Sequence, residues 1–313
     1  MRTFKQLQDD TLAWMADQSD TGLMRTLVKN SLNEHHQQLL HEDRYDFMLW
    51  PRSETLSVLA NVTTYALHPQ FDQPLYLYNS DAKEYLEEVP ARSLLESGVD
   101  WATGTPTKPD RFMLSGVAKV ATQPTTAAVV TVTTTGGTEA AVNSIIVSGV
   151  TSAGNYVEET LSSTNAWSTL TSTNTFQIIL DITKIGASWS RTITVTCNSQ
   201  TLLSLTATEY GRQFRILEIL GTPQANIDFL YRFYRKPRQL VNDNDIPDLP
   251  ESYDDILVLR TLLAMQGYSR ATGDEQAHWR SRLTMLEQSL KMTYQQSRSL
   301  GGRPTFTRFI PRG

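Results

Sequence analysis

The chain has 313 residues, which at roughly 100–200 residues per domain is room for about two domains. Hydrophobic residues make up 40% and aromatics 9%, enough for a buried core, and the net charge of −5 argues against a general nucleic-acid binder. A single cysteine, Cys197, excludes an intrachain disulfide and a four-cysteine zinc site. No N-terminal apolar region resembles a signal peptide, and no run approaches the roughly 20 apolar residues of a membrane span, so a soluble protein is expected.

Two helices open the chain over about residues 3–42. Thr3 and Gln6 have the spacing of a capping box, and Phe4, Leu7, Thr11, Trp14 and Met15 recur at helical period. Ser19-Asp20-Thr21-Gly22 interrupts the pattern, and Met24, Val28, Leu32, His35 and Leu39 resume it. From Tyr45 to Gly116 the runs are strand-length and aromatic: Asp46–Trp50, Thr55–Val58, Thr64–Leu67, Pro74–Tyr78, Glu84–Val89 and Asp110–Leu114. A short helix over residues 91–97 is an option.

At about residue 117 the composition changes. Residues 117–208 hold 22 threonines and only seven charged side chains. Strand candidates at Ala127–Thr135, Ala141–Val147, Tyr156–Leu161, Thr175–Ile182, Thr192–Cys197 and Leu202–Thr208 read as an all-β sandwich of immunoglobulin type. The aromatic, charged style returns at Arg212–Leu220 and Ile227–Arg235, expected as paired strands around Gly221-Thr222-Pro223. The Thr-rich segment thus interrupts one β layer whose halves pair across it. Helices follow, one from Asp248-Leu249-Pro250-Glu251 to Gly267 and one opened by Asp274. The fold class is α+β, with a first core part at 1–116, an insertion at 117–208, a second core part at 209–297 and an extended arm at 298–313.

Catalytic patterns are missing. There is no GxSxG elbow, no GxGxxG after a strand and no phosphate loop. His35, His36 and His41 lack the i,i+4 spacing of a helical metal pair and read as a solvated helix end, and Cys197 reads as a buried structural thiol. Asp243, Asp245, Asp248, Asp254 and Asp255 fail the calcium-loop pattern and read as caps and loop charges. No enzyme activity, cofactor or metal is expected. The arm carries Arg298, Arg303, Arg308 and Arg312 among Phe306, Phe309 and Ile310, without an acid. Arginine with aromatics is the composition of binding anchors, so these seven residues are the candidate site. Their +4 leaves residues 1–297 at −9.

The two-helix start, the aromatic strand layer, the run Asp248-Leu249-Pro250-Glu251-Ser252-Tyr253-Asp254-Asp255-Ile256-Leu257, the helical hairpin and the basic arm together resemble a tailed-bacteriophage head-to-tail adaptor (connector) protein, over residues 1–116 and 209–313. The resemblance implies a homo-oligomeric ring, usually a dodecamer, in the virion neck. It is assembled in the host cytoplasm, with the C-terminal arm docked on the portal protein and the tail tube or nozzle attached to it. DNA would pass through the channel only as cargo. Residues 117–208, absent from many such adaptors, are expected on the outer rim, meeting tail fibres, capsid or host surface. Other readings are a tail-tube or baseplate protein, or a carbohydrate-binding module using Tyr156, Trp167, Phe176 and Trp189.

Overall fold

The computed structural model describes residues 1–15, 22–60, 62–90, 109–139, 143–162, 166–186, 189–268 and 271–295, and all structural statements concern these. The optional helix over 91–97 lies outside them. The fold is mixed α+β and divides into two compact units, one built from Met1–Pro51 and the chain from Tyr234 on, the other from Arg52–Phe233.

The first unit is helical. Helix α1 (Phe4–Trp14) starts at the expected capping box between Thr3 and Gln6. Two of its other free N–H groups donate to loop carbonyls, Phe4 to Asp245 at 2.7 Å and Lys5 to Asp243 at 3.0 Å, which ties the helix start to the irregular segment ahead of the later helices. Helix α2 (Gly22–Glu42) buries Val28, Leu32, His36, Leu39 and Leu40. Helix α3 (Asp255–Ala264) is apolar nearly all round, with Ile256, Leu257, Val258, Leu259, Thr261 and Leu262 buried, and α1, α2 and the last helix, α4 (Gly273–Tyr294), all pack on it. Thr272, not Asp274, caps α4, through a capping box with Glu275. The expected strand at Asp46–Trp50 is instead a 3₁₀ turn, Asp46–Met48, followed by one bridge from Leu49 to Tyr234.

The second unit is β. Before the Thr-rich segment come β1 (Glu54–Val58), β2 (Thr64–Ala66), β3 (Phe71–Asn79), β4 (Glu84–Tyr85), β5 (Glu87–Glu88) and β6 (Arg111–Ala118). Within it lie β7 (Ala128–Thr135), β8 (Ser144–Val150), β9 (Tyr156–Ser162), β10 (Thr169–Phe176), β11 (Ile178–Ile185), β12 (Thr192–Cys197) and β13 (Gln200–Leu205); β14 (Phe214–Leu220) and β15 (Ile227–Arg235) follow. They form four sheets ordered β1-β15-β3-β4, β2-β14-β6-β5, β10-β7-β12-β13 and β11-β8-β9. Strand β5 runs parallel to β6.

As expected, the two sides of the Thr-rich segment pair with each other: β6 and β14 run antiparallel from Arg111↔Leu220 to Ala118↔Phe214, with a β-bulge where the register shifts between Ile216 and Leu217. The expected β14–β15 hairpin is not formed; β14 sits between β2 and β6 while β15 pairs with β1. Strand β10 escaped the sequence reading because Ser172 fills its inward position, accepting the Val130 N–H at 2.8 Å across a β-bulge. The two Thr-rich sheets share one apolar core, with Val130, Val132, Ile193 and Val195 from one and Ile145, Val147, Ile179 and Ile182 from the other. Their rims are blunted: the Gln123 side chain brackets the Ile179 backbone at 2.8 and 2.9 Å, and Ala121 N–H donates to Leu202 on β13.

The chain between β15 and α3 is irregular and is held by a polar row on α2. Asn33 exchanges two hydrogen bonds with the Leu240 backbone at 3.1 and 3.2 Å, and Gln37 donates to the Arg238 carbonyl at 2.9 Å. His36, read from the sequence as part of a solvated helix end, is fully buried and accepts the Asp248 N–H on Nε2 at 3.0 Å. Burial pushes its pKa down from 6.5 to about 4, with Arg238 and Arg235 adding to the effect and the Asp248 carboxylate opposing it. A base that binds its proton less well when folded stabilises the fold fully above the unfolded pKa and loses that contribution as pH falls. Stability should therefore drop by about 3 kcal/mol as pH falls from 6.5 to about 4. Urea denaturation at successive pH values checks this, with His36→Gln expected to lose the slope in that window; equal slopes in both proteins would refute it.

Candidate interaction surface

The seven arm residues, Arg298, Arg303, Phe306, Arg308, Phe309, Ile310 and Arg312, lie outside the described residues. What is described is the arm's root. Helix α4 ends at Tyr294, and Gln295 turns extended and bridges Tyr45. Asp43, just past the end of α2, accepts from Gln295 Nε2 at 3.0 Å and from Tyr45 OH at 3.2 Å, and pairs with Lys291 at 2.9 Å. Burial, with Asp43 beside it, pushes the Tyr45 hydroxyl pKa well up, so it stays a donor. Phe47 stacks on Tyr45 at 5.2 Å and meets the Tyr294 ring edge-on at 5.4 Å. One carboxylate and three aromatic rings therefore set where the chain leaves α4.

Along α4 the inward side buries Trp279 and Leu290, and Trp279 meets Trp14 of α1 edge-on at 6.1 Å. The opposite side is a stripe of His278, Ser281, Met285, Gln288 and Met292, all exposed, with Met285 at 61% and Met292 at 82%. These positions follow one another at three- and four-residue steps and so lie on one face. Two bare methionines a heptad apart, on a helix whose other side is packed, make an adaptable apolar contact strip. Sequence periodicity found the packed side of α4 but passed over this one, because its polar members hide the methionines.

No protein-family model matches the chain, and no curated protein matches it. The acidic residues at 243–255 are largely occupied internally. Asp243 pairs with Lys29 at 3.6 Å, Asp245 accepts the Val241 and Asn242 N–H groups, and Asp248 takes Arg235 at 2.8 Å and the Arg238 N–H. Buried Asp254 has its pKa raised by desolvation, against the pull of Arg2. Asp255 pairs with Arg2 at 2.5 Å and with Arg282, joining the chain start, α3 and α4. Among the described residues no three histidine, cysteine or acidic side chains are grouped to hold a metal. Cys197 is buried as expected, and burial pushes its thiol pKa up.

A second aromatic surface lies on the β3–β4 hairpin. Tyr85, 54% exposed, touches Tyr76 and Tyr78 at ring distances of 5.7 and 5.0 Å, and Tyr76 OH shares a hydrogen bond with Ser53 at 2.8 Å. In the Thr-rich sheets, by contrast, Trp167, Phe176 and Trp189 are buried, and of the four aromatics suggested for sugar stacking only Tyr156 is exposed.

Asp43→Ala should cost about 2 kcal/mol, since it strands the buried Tyr45 hydroxyl and frees the Gln295 amide. Chemical denaturation measures the loss; a change below about 0.5 kcal/mol would mean that the root is held by the aromatic rings alone.

Proposed function

We propose that this chain is a structural, non-enzymatic ring subunit of the head-to-tail adaptor kind, joining the portal vertex of a phage head to the tail. The observation that carries the proposal is the uncovered methionine stripe of α4, which runs down to the clamped root of the basic arm. A helix packed on one side and bare on the other suits side-by-side contact with a neighbouring copy. An arm of four arginines and two phenylalanines, starting from a fixed point, suits docking on an acidic partner ring such as a portal protein. In this reading the copies form a ring, a dodecamer by resemblance, with the tail tube or nozzle on the other side and DNA passing only as cargo.

The Thr-rich segment is read as an inserted immunoglobulin-like sandwich on the rim, available to tail fibres. The antiparallel closure of β6 on β14 supports an insertion, since the chain leaves and re-enters the layer at neighbouring strand ends, Ala118 opposite Phe214. The carbohydrate reading has lost its aromatic platform and is not favoured.

Ring assembly is tested with Met285→Glu/Met292→Glu, which changes only exposed positions. Native mass spectrometry and electron microscopy should show closed rings for the wild type and folded monomers for the variant. Six-fold or three-fold wild-type particles would instead indicate a tail-tube or baseplate protein. Separately, Arg303→Glu/Arg308→Glu/Arg312→Glu should leave assembly intact and weaken co-purification with the portal at least tenfold; unchanged portal binding would remove the arm from the interface.

A further inference from the structure

Among the polar side chains sealed inside the Thr-rich part are a carboxylate, an amine and a carboxamide: Glu139 is 1% exposed, Lys184 2% and Asn143 4%. Lys184 lies on β11 opposite Ile145 of β8, so Asn143, two residues before Ile145, is its diagonal neighbour on the same inward face. The Asn143 side chain lies over Gly186, where any Cβ would meet Oδ1, so the strand can close on the amide only because residue 186 is glycine. Asn143 Nδ2 donates to Glu139 at 3.3 Å. Glu139 is held in place by the backbone N–H groups of Ser190 and Arg191 and by the Ser190 hydroxyl, at 2.9–3.2 Å. The Lys184 amine donates to the Thr206 carbonyl at 2.5 Å and sits 4.8 Å over the Trp189 ring, which meets Trp167 edge-on at 6.3 Å.

A lysine buried to this degree is costly unless its charge is matched at contact, and a core that needed only volume would use an apolar side chain. A buried amine, a carboxamide within diagonal reach and a carboxylate bonded to that carboxamide are the three parts of an amide exchange. The geometry points to an intramolecular isopeptide bond between Lys184 and Asn143, formed with Glu139 as the proton carrier. Lys184 swings from the Thr206 carbonyl, and its neutral Nζ attacks Asn143 Cγ. The Nζ–Cγ bond forms and the Cγ–Nδ2 bond breaks. The proton shed by Nζ passes through the Glu139 carboxylate to Nδ2, which leaves as ammonia. Nothing is oxidised or reduced, and no co-reactant is needed. Desolvation lowers the Lys184 pKa, which raises the share of neutral amine, while the Glu139 charge works the other way. The product staples β8 to β11 covalently, and it is independent of whether the chain forms a ring.

Intact-mass measurement of the denatured full chain should give a value about 17 Da below the sequence mass, one ammonia lost. Digestion with trypsin together with a protease that cuts after glutamate, at Glu158 and Glu159, should yield one branched peptide joining Asn143 to Lys184, uncut after Lys184. Lys184→Arg, Asn143→Ala and Glu139→Gln should each restore the full expected mass, and Lys184→Arg should unfold at lower temperature. The wild-type mass decides the matter even if a variant does not fold. Full mass, with both residues recovered on separate peptides after prolonged incubation, would overturn the bond. So would a 17 Da loss confined to the Asn143 peptide with normal cleavage after Lys184, because that is ring closure of Asn143 on Ser144.

Discussion

A helix with almost no solvent face must be largely surrounded, and α3 is such a helix. Ile256, Leu257, Val258 and Leu259 are buried in succession, which no amphipathic pattern allows, so α3 needs several neighbours around it. Two of them, α1 and α2, come from the start of the chain and the third, α4, from its end. The chain between must leave and return, and its pairings record this as nested closures. Leu49 meets Tyr234, Glu54–Val58 meets Tyr231–Ile227, Thr64–Ala66 meets Glu218–Ile216, and Arg111–Ala118 meets Leu220–Phe214. The first three lie one inside another in sequence, and the last two share β14, which sits between β2 and β6. The Thr-rich strands occupy the innermost loop of this nest, where their presence disturbs no outer pairing.

Around α3, polar groups do the fitting that apolar packing cannot. An irregular stretch of backbone carries donors and acceptors that must be met, and the α2 row of Asn33, His36 and Gln37 meets them at one-turn steps. The first N–H groups of α1 meet carbonyls of the same stretch. Carboxylates act likewise: Glu159 of β9 receives four donors from Thr173 and Asn174 at the β10 bulge, and these bonds hold its pKa down despite partial burial.

Most of the elements were legible from period and composition, because helices with a single apolar face and strands with aromatic alternation announce themselves. What escaped reading was whatever depended on a distant partner. Ser172 stands where an apolar residue would have signalled β10, and it is tolerated because a backbone N–H 42 positions away bonds it. Gly221-Thr222-Pro223 has turn chemistry, and Gly221 does take a positive φ of 100°, yet β14 and β15 part there because β2, β6 and β1 offer them other partners. His36 looked like a helix-end residue since its partner, the Asp248 N–H, is 212 positions on. The interaction surface was half legible. The arm's basic and aromatic composition was visible at once, but the Met285 and Met292 stripe was not, as exposure cannot be told from spacing alone.

The nest also fixes a timetable. During synthesis β1 emerges early, and its partner β15 follows about 170 residues later, roughly 10–30 s at ordinary elongation rates. Through that interval β1, β2 and β6 have edges with nothing to pair with, whereas β7 to β13 need only one another and can close first. The Thr-rich strands would then be a finished object on an unfinished chain, bringing residues 118 and 214 to adjacent positions before the outer strands look for each other. Strands that close early at the centre of such a nest shorten the search for everything outside them.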